Sequence, residues 1–425
     1  MTYVSRRRTA LSALAVAAVA AATLATGVPA DGATSMRVWS GTVTKGQDGD
    51  TELVDIAGDG KGALKVRNAG IQAMEVAHPG YRLECHASAA SARMTALTAG
   101  KRVRLSAQSA ASTSEGRLLR FVEVSSGGSW VDVQLKLLQE GHALWLNFGH
   151  EPAHAQAYHL AMEKAAAAGH NLWDDDYCGK GPSQGARLRM WVNYDANGDD
   201  NKNLNGEYVR VKNLGTTPVS VAGWHIRDAS HTPPYVFPAG TVINAGQYLT
   251  VRVGSGTRTR TTFYWGQRTS QFGNTGTAGA VGDSAYLFDP QGDIRAHVSY
   301  PCVYRCTDPL AGKVRIDSIT YDAVGDDFSN VNGEWTSISA VDPRQRIDLS
   351  NKVLELGGHI WEIPGGSYLN PGEHLRVYSG RGTNSRLKAY WNSAAPMLPN
   401  AGGRVSLRNT EGTRLACRAY GSARC

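Results

Sequence analysis

The chain has 425 residues, which suits two to four domains that each bury a core of their own. Its 44 Lys+Arg against 37 Asp+Glu give a net charge of +7, a balance that suits a polyanionic partner through long-range steering. Beyond the N-terminal run, no stretch reaches the ~20 consecutive apolar residues of a membrane-spanning helix, so a membrane span in the mature chain is excluded.

At the N-terminus, Arg6-Arg7-Arg8 precedes an alanine-rich apolar run from Ala10 to Val28, followed by Pro29-Ala30 and Asp31-Gly32-Ala33. That order predicts a secretory signal over residues 1–33, cut after Ala30 or Ala33. Ser5-Arg6-Arg7 also reads as a twin-arginine signal, and a membrane anchor is the alternative to cleavage. Six cysteines in an exported chain point to disulfides, and six allow fifteen pairings among which the sequence does not choose. Cys302–Cys306 and Cys417–Cys425 sit at matching ends of a repeat described below, which leaves Cys85 with Cys178.

From Arg37 onward, short apolar runs alternate with glycine and polar turns. Strands are expected at Val38–Val43, Glu52–Ile56, Ala63–Val66, Val103–Leu105 and Leu118–Val124. Helices are expected over Cys85–Ala99, ending at Gly100, over Trp130–Glu140, ending at Gly141, and over Ala153–Ala168, ending at Gly169. Five strands with helices packed on them fit an OB-type five-stranded barrel.

Chemistry-bearing residues lie on this framework. A hard cation takes carboxylate oxygens, which makes Asp50 the first candidate ligand. Glu75 is a candidate to orient or deprotonate a water. Arg67 and Arg117 are candidates to meet the charge that builds on phosphoryl oxygens, because guanidinium forks match that geometry. His150-Glu151-Pro152-Ala153-His154 spells H-E-x-x-H. A zincin needs both histidines on one helical turn, and Pro152 belongs to a first turn or to none, so exposed loop histidines are expected here.

Cys178–Ala186 reads as a linker, within a connecting segment set at 175–186, which implies a barrel that folds and works without the rest. An internal repeat follows. Tyr194-Asp195-Ala196-Asn197-Gly198-Asp199-Asp200 returns as Tyr321-Asp322-Ala323-Val324-Gly325-Asp326-Asp327, and Asn203-Leu204-Asn205-Gly206-Glu207-Tyr208 returns as Asn330-Val331-Asn332-Gly333-Glu334-Trp335. Phe237-Pro238-Ala239-Gly240 matches Ile363-Pro364-Gly365-Gly366, and Tyr264-Trp265 matches Tyr390-Trp391. Dense short strands with turn signals make both halves, 187–303 and 313–425, immunoglobulin-like β-sandwiches by pattern. The fold class is therefore mainly β: an OB-type barrel with helices (α+β), then two sandwiches. Asp195–Asp199 has some features of a calcium loop, but its glycine and final glutamate are misplaced, so a solvated turn is expected.

The order Asp48-Gly49-Asp50-Thr51, then Arg67, then Glu75, then Gly116-Arg117, then Leu172-Trp173 resembles the thermonuclease family of staphylococcal-nuclease-like secreted endonucleases. The resemblance runs from Val38 to Asp174, within a domain set at 36–174. It implies an OB-fold, a calcium ion held by Asp50, Gln72 and the Ala73 carbonyl, and catalysis by Arg67, Glu75 and Arg117. Two positions depart from the family pattern. Gln72 stands where the family carries an acid, which implies a weakened metal site. Glu115 stands where the family often carries a base-stacking tyrosine. The Asn-x-Asn-Gly-Glu-aromatic signature, over Ala186–Pro301 and Lys313–Cys425, resembles the lamin-tail domain, which accompanies secreted nucleases in bacteria.

Two functions follow. The first is a secreted, metal-dependent endonuclease acting on DNA and RNA, with two accessory lamin-tail domains that attach to cell wall or extracellular matrix. The second is a non-catalytic secreted protein that binds nucleic acid or attaches to surfaces. The loss of the acid at Gln72 favours the second. Glu75 favours the first, because plain binding needs no carboxylate beside a polyanion.

Overall fold

The computed structural model describes residues 35–77, 82–196, 199–230, 233–275, 281–350, 352–356, 359–364, 367–409 and 412–425. The expected signal over 1–33 lies outside the described residues, as do Asn197-Gly198 and Gly365-Gly366. Residues 36–425 cluster as one unit.

The first part is a closed barrel. Its strands are β1 (Arg37–Gly46), β2 (Thr51–Ile56), β3 (Leu64–Asn68), β4 (Ile71–Gln72), β5 (Arg102–Ala107), β6 (Thr113–Ser114), β7 (Arg117–Ser126), β8 (Ser129–Asp132) and β9 (Leu144–Trp145). Hydrogen bonding runs β3-β2-β1-β5-β7, and a parallel pairing of β3 with β7 closes the ring. Alternation puts Val43, Val54, Val66, Leu105, Val122 and Val124 inside. Three helices cover the barrel: α1 (Ala87–Thr98), α2 (Val133–Gln139) and α3 (Ala155–Ala168). The expected second helix starts later than its sequence suggests. Trp130–Asp132 is a strand paired with β7, and Asp132 caps α2 by accepting from the Leu135 N–H at 2.8 Å.

Two sandwiches follow with the same topology. The first sets Leu188–Asn193, Tyr208–Asn213, Tyr248–Arg252 and Thr262–Tyr264 in one sheet, and Tyr235–Val236, His225–Arg227, Asp283–Phe288 and Ile294–Tyr300 in the other. The second repeats this with Val314–Thr320, Trp335–Ala340, His374–Tyr378 and Lys388–Tyr390 facing His359–Glu362, Val353–Leu356, Gly402–Arg408 and Arg414–Gly421. In both repeats the last pair of the first sheet is parallel. The disulfides are Cys85–Cys178, Cys302–Cys306 and Cys417–Cys425.

The segment after the barrel does not act as a loose tether. Ala229, Tyr286, Phe288 and Ile294 of the first sandwich belong to the barrel's own hydrophobic core. Val353 and Ile360 of the second sandwich likewise belong to the core of the first. Each module thus presents its second sheet to the module before it. Between the sandwiches, Glu362 accepts from Tyr208 Oη at 2.9 Å and from Arg210 Nη1 at 2.5 Å. Arg210 itself lies among the rings of Trp191, Tyr208 and Tyr248. The turn expected to be solvated is part of this joint: Asp195 is buried, with Oδ1 3.5 Å from His359 Nδ1.

Candidate active site

Strand register assembles the site. Thr51 lies opposite Arg67 across β2 and β3, and Arg67 lies opposite Leu119 across β3 and β7, two residues beyond Arg117. The acidic turn, Arg67 and Arg117 therefore meet at one end of the barrel. Asn68 pins the turn, because its N–H and its Nδ2 both donate to the Asp50 carbonyl, at 2.8 and 3.1 Å. Gly49 is required by packing: a Cβ there would stand 2.5 Å from Ala73 Cβ and 2.9 Å from Ala90 Cβ.

The base of the site is buried. Asp50 Oδ1 accepts from Thr51 Oγ1 at 3.1 Å, while Oδ2 accepts from the Ala73 N–H at 2.9 Å and lies 3.2 Å from Arg67 Nη2. Arg67 is 3 % exposed. It donates through Nη1 to the Asn68 carbonyl and through Nη2 to Gln72 Oε1, both at 2.7 Å. The sequence marks both arginines as candidates to meet phosphoryl oxygens. In the structure the Arg67 fork turns inward and locks Asp50 to Gln72, because β3 aims it at the carboxylate of the turn.

The rim is more open. Glu75 and Arg117 are half-buried. The Glu75 N–H donates to Glu84 Oε2 at 2.8 Å. Arg117 Nη2 pairs with Glu115 Oε2 at 2.7 Å, and Nη1 lies 3.4 Å from Thr51 Oγ1. Glu115, where the sequence shows an absent stacking ring, thus partly neutralises the arginine two residues on. Asp48 completes the rim. Burial, and next the charge of Asp50, push its carboxyl up to about 6, with Glu75 adding to the effect. In the sequence Asp48 reads only as part of the turn, and its one signal is the doubled acid of Asp48-Gly49-Asp50.

Among the described residues, no group of three or more His, Cys, Asp or Glu is placed to hold a metal. The fit of a hard cation rests on a mixed oxygen set. Gln72 Nε2 donates to the Ala73 carbonyl at 3.0 Å and to Glu75 Oε1 at 3.2 Å. Its partly positive amide group therefore stands where two oxygens converge, beside Ala73, whose N–H holds Asp50. The chemistry of these donors fits calcium, and turning the Gln72 amide would add its oxygen to the set.

Two other constellations resolve as structural. In the H-E-x-x-H stretch, α3 begins after His154, and His150 is exposed as expected. Glu151 is buried and accepts from the N–H groups of Gln108 and Ser109 and from Ser112 Oγ, so it anchors a loop. Elsewhere, Glu163 of α3 and Ser299 of the first sandwich line a cavity of about 400 Å³, and buried His159 lies against Ser299. Ser299 Oγ donates to Glu163 at 2.6 Å, a carboxyl held down to about 2 by His297, Ser299 and His159 against the burial that would raise it. The one hydroxyl proton is then committed, and His159 Nε2, 2.5 Å away, must donate to Ser299 rather than accept from it. That proton count excludes an activated serine nucleophile and defines a polar joint.

A closed five-stranded OB-type barrel with an acid–arginine–glutamate end defines a nuclease-type hydrolase domain, here fused to sandwich modules. The family model of staphylococcal nuclease homologues matches residues 65–175, and that of the lamin tail domain matches residues 191–302. The chain thus carries a staphylococcal-nuclease-like domain followed by a lamin tail domain, and its second sandwich repeats the topology of the matched one. No curated protein matches the chain. Members of the nuclease family generally depend on calcium, and among the described residues no helix is long and apolar enough to cross a membrane.

Proposed function

We propose that this chain is a secreted endonuclease that hydrolyses phosphodiester bonds in DNA and RNA. The carrying observation is the convergence of Asp50, Glu75 and Arg117 at one end of the barrel, around the Thr51–Arg67 register pair. Arg117 neutralises the scissile phosphate, exchanging Glu115 for a phosphoryl oxygen as substrate arrives. Glu75 holds the attacking water and takes its proton, since its carboxylate stands on the rim with its backbone fixed by Glu84. Arg67 acts from below, holding Asp50 and Gln72 in register and adding positive charge beneath the five-coordinate phosphorus. Asp50, the Ala73 carbonyl and Gln72 would hold calcium, which when bound supplies Lewis-acid charge to a phosphate oxygen. Three disulfides and the N-terminal residue pattern support export. The sandwiches attach the enzyme to cell wall or matrix.

The test is digestion of plasmid and of RNA by the purified chain from residue 34 onward, with calcium and with chelator. Cleavage of both substrates that chelator abolishes is expected. Retention of nucleic acid on the protein without cleavage under either condition would favour the binding function instead.

A further inference from the structure

The geometry points to Arg227, in the first lamin tail domain, as a positioning residue for Glu75 in the barrel. This inference rests on the role given to Glu75 above. It makes the sandwich part of the cutting machinery rather than an attachment module alone.

Glu75 and Glu84 pair with each other. The Glu84 N–H donates to the Glu75 carbonyl at 2.9 Å, and Glu84 Oε2 accepts the Glu75 N–H at 2.8 Å. The Glu84 carboxylate thus fixes the peptide plane from which the Glu75 side chain projects. Its other oxygen, Oε1, lies 3.5 Å from Arg227 Nη1. The second arm of the same guanidinium, Nη2, donates to Met74 Sδ at 3.2 Å. One side chain from another domain therefore grips the residue before Glu75 and the residue that holds its backbone. A lysine has a single terminal nitrogen and cannot do both.

The grip is rigid. Arg227 is 4 % exposed and stacks against Phe288, which belongs to the barrel's core cluster. A buried guanidinium is costly without an anion, and Glu84 is its anion across this joint. The same segment is held from its far side. Glu84 adjoins the Cys85–Cys178 disulfide, and the turn at Gly292 packs against it, with 3.0 Å separating Cys85 Cβ from the Cβ position of Gly292. The Cys178 N–H donates to Asp293 Oδ1 at 2.8 Å.

The second sandwich shows that this arginine is not a requirement of the fold. Arg227 pairs with Tyr286 just as Glu355 pairs with Ser406, so Glu355 occupies the same place in the repeat. There it faces the first sandwich and pairs with Arg408 at 2.7 Å. The position tunes each joint to its neighbour, and toward the barrel it is built to meet Glu84.

The test is steady-state cleavage of a fluorescent oligonucleotide by the full chain carrying Arg227→Ala, Arg227→Lys or Glu84→Gln, each alone and with Glu75→Ala. Displacement of a reacting group by a fraction of an ångström predicts that Arg227→Ala lowers kcat about tenfold or more, with KM within about twofold. Arg227→Lys, which keeps the charge against Glu84, should recover part of the loss, and Glu84→Gln should lose severalfold. In the Glu75→Ala background, Arg227→Ala should change the residual rate by less than about twofold, because its effect passes through Glu75. Melting temperature of each variant separates this from unfolding, and if Arg227→Ala does not fold, Arg227→Lys and Glu84→Gln carry the same comparison. Three results would overturn the inference while leaving the proposed chemistry intact: parent kcat in Arg227→Ala, an Arg227→Lys no faster than Arg227→Ala, or an equal loss with and without Glu75. Parent activity in Glu75→Ala itself would remove both.

Discussion

Replacing Gln72 with glutamate tests whether a cation belongs at this loop. The side chains have the same length, so Gln72→Glu leaves Oε1 on Arg67 and puts an oxygen where Nε2 stands. That oxygen would face the Ala73 carbonyl at 3.0 Å and Glu75 Oε1 at 3.2 Å, with two hydrogen bonds lost. Repulsion by Glu75 and attraction to Arg67, 2.7 Å away, are of similar size and largely offset each other. The two lost bonds remain, a destabilisation of about 2 kcal/mol, or roughly 4–8 °C in melting temperature. A cation seated between these oxygens reverses the sign, since three oxygens then share a divalent charge. Calorimetry of parent and variant, in chelator and in millimolar calcium, reads this directly. The variant should melt below the parent in chelator and gain more than the parent from calcium. An equal deficit in both media would show that no cation is held at this loop. Aspartate, a methylene shorter, would restore the charge of the family pattern but leave Arg67 less well met.

Glu115→Gln should raise kcat/KM at low salt by at most about fivefold, because a pair whose carboxylate is 75 % exposed contributes no more than ~1 kcal/mol. The gain should vanish at high ionic strength, and a slower variant would mean that Glu115 helps to aim Arg117. Arg67→Ala, Glu75→Ala and Arg117→Ala should each lose on the order of a hundredfold in cleavage rate. Circular dichroism should show the fold kept in the latter two and weakened in Arg67→Ala, whose removal leaves Asp50 buried without its cation. His159 is held down to about 4 by burial, against 6.5 when unfolded, so the folded state takes up fewer protons between those values and stability falls as pH drops through that window. His159→Gln, which keeps a donor toward Ser299, should lessen the fall in melting temperature between pH 6.5 and 4, and an unchanged slope would remove His159 from the account. Deleting Ala186–Cys425 should leave an insoluble or inactive barrel, since it uncovers the core face that Tyr286, Phe288 and Ile294 now fill; a soluble, fully active fragment would refute that.

The barrel and the meeting of the acidic turn with Arg67 and Arg117 were legible because their determinants are local. Alternating Val and Leu set which strand face is inside, and the acidic turn, Arg67 and Arg117 sit on strands whose pairing follows from that pattern. The repeat announced the sandwiches in the same way. What stayed hidden was orientation and contact across domains. Nothing in the residues around Arg67 reveals that its fork turns inward, because that depends on where Asp50 comes to rest. Arg227 reads as an ordinary strand arginine in a module of no known chemistry, and its partner lies far back in the chain. The stretch 175–186 reads as flexible from its glycines, yet the packing of apolar side chains on either side of it decides how firmly the modules join.

The joint between the two sandwiches is a contact of unlike faces, the kind that could in principle add unit after unit into a filament. The open sheet of the second sandwich lacks the groups that such growth would use. Strand register places Ser337 where the first sandwich has Arg210, and His374 where it has Tyr248. An incoming Glu362 from another copy would find neither the guanidinium nor the ring that receives it in the first joint. The same face also carries Arg376 over Trp335 and His374 against Asp317, so its charges are already engaged. The fold thus repeats its architecture while leaving the chemistry of its docking face to the first repeat alone.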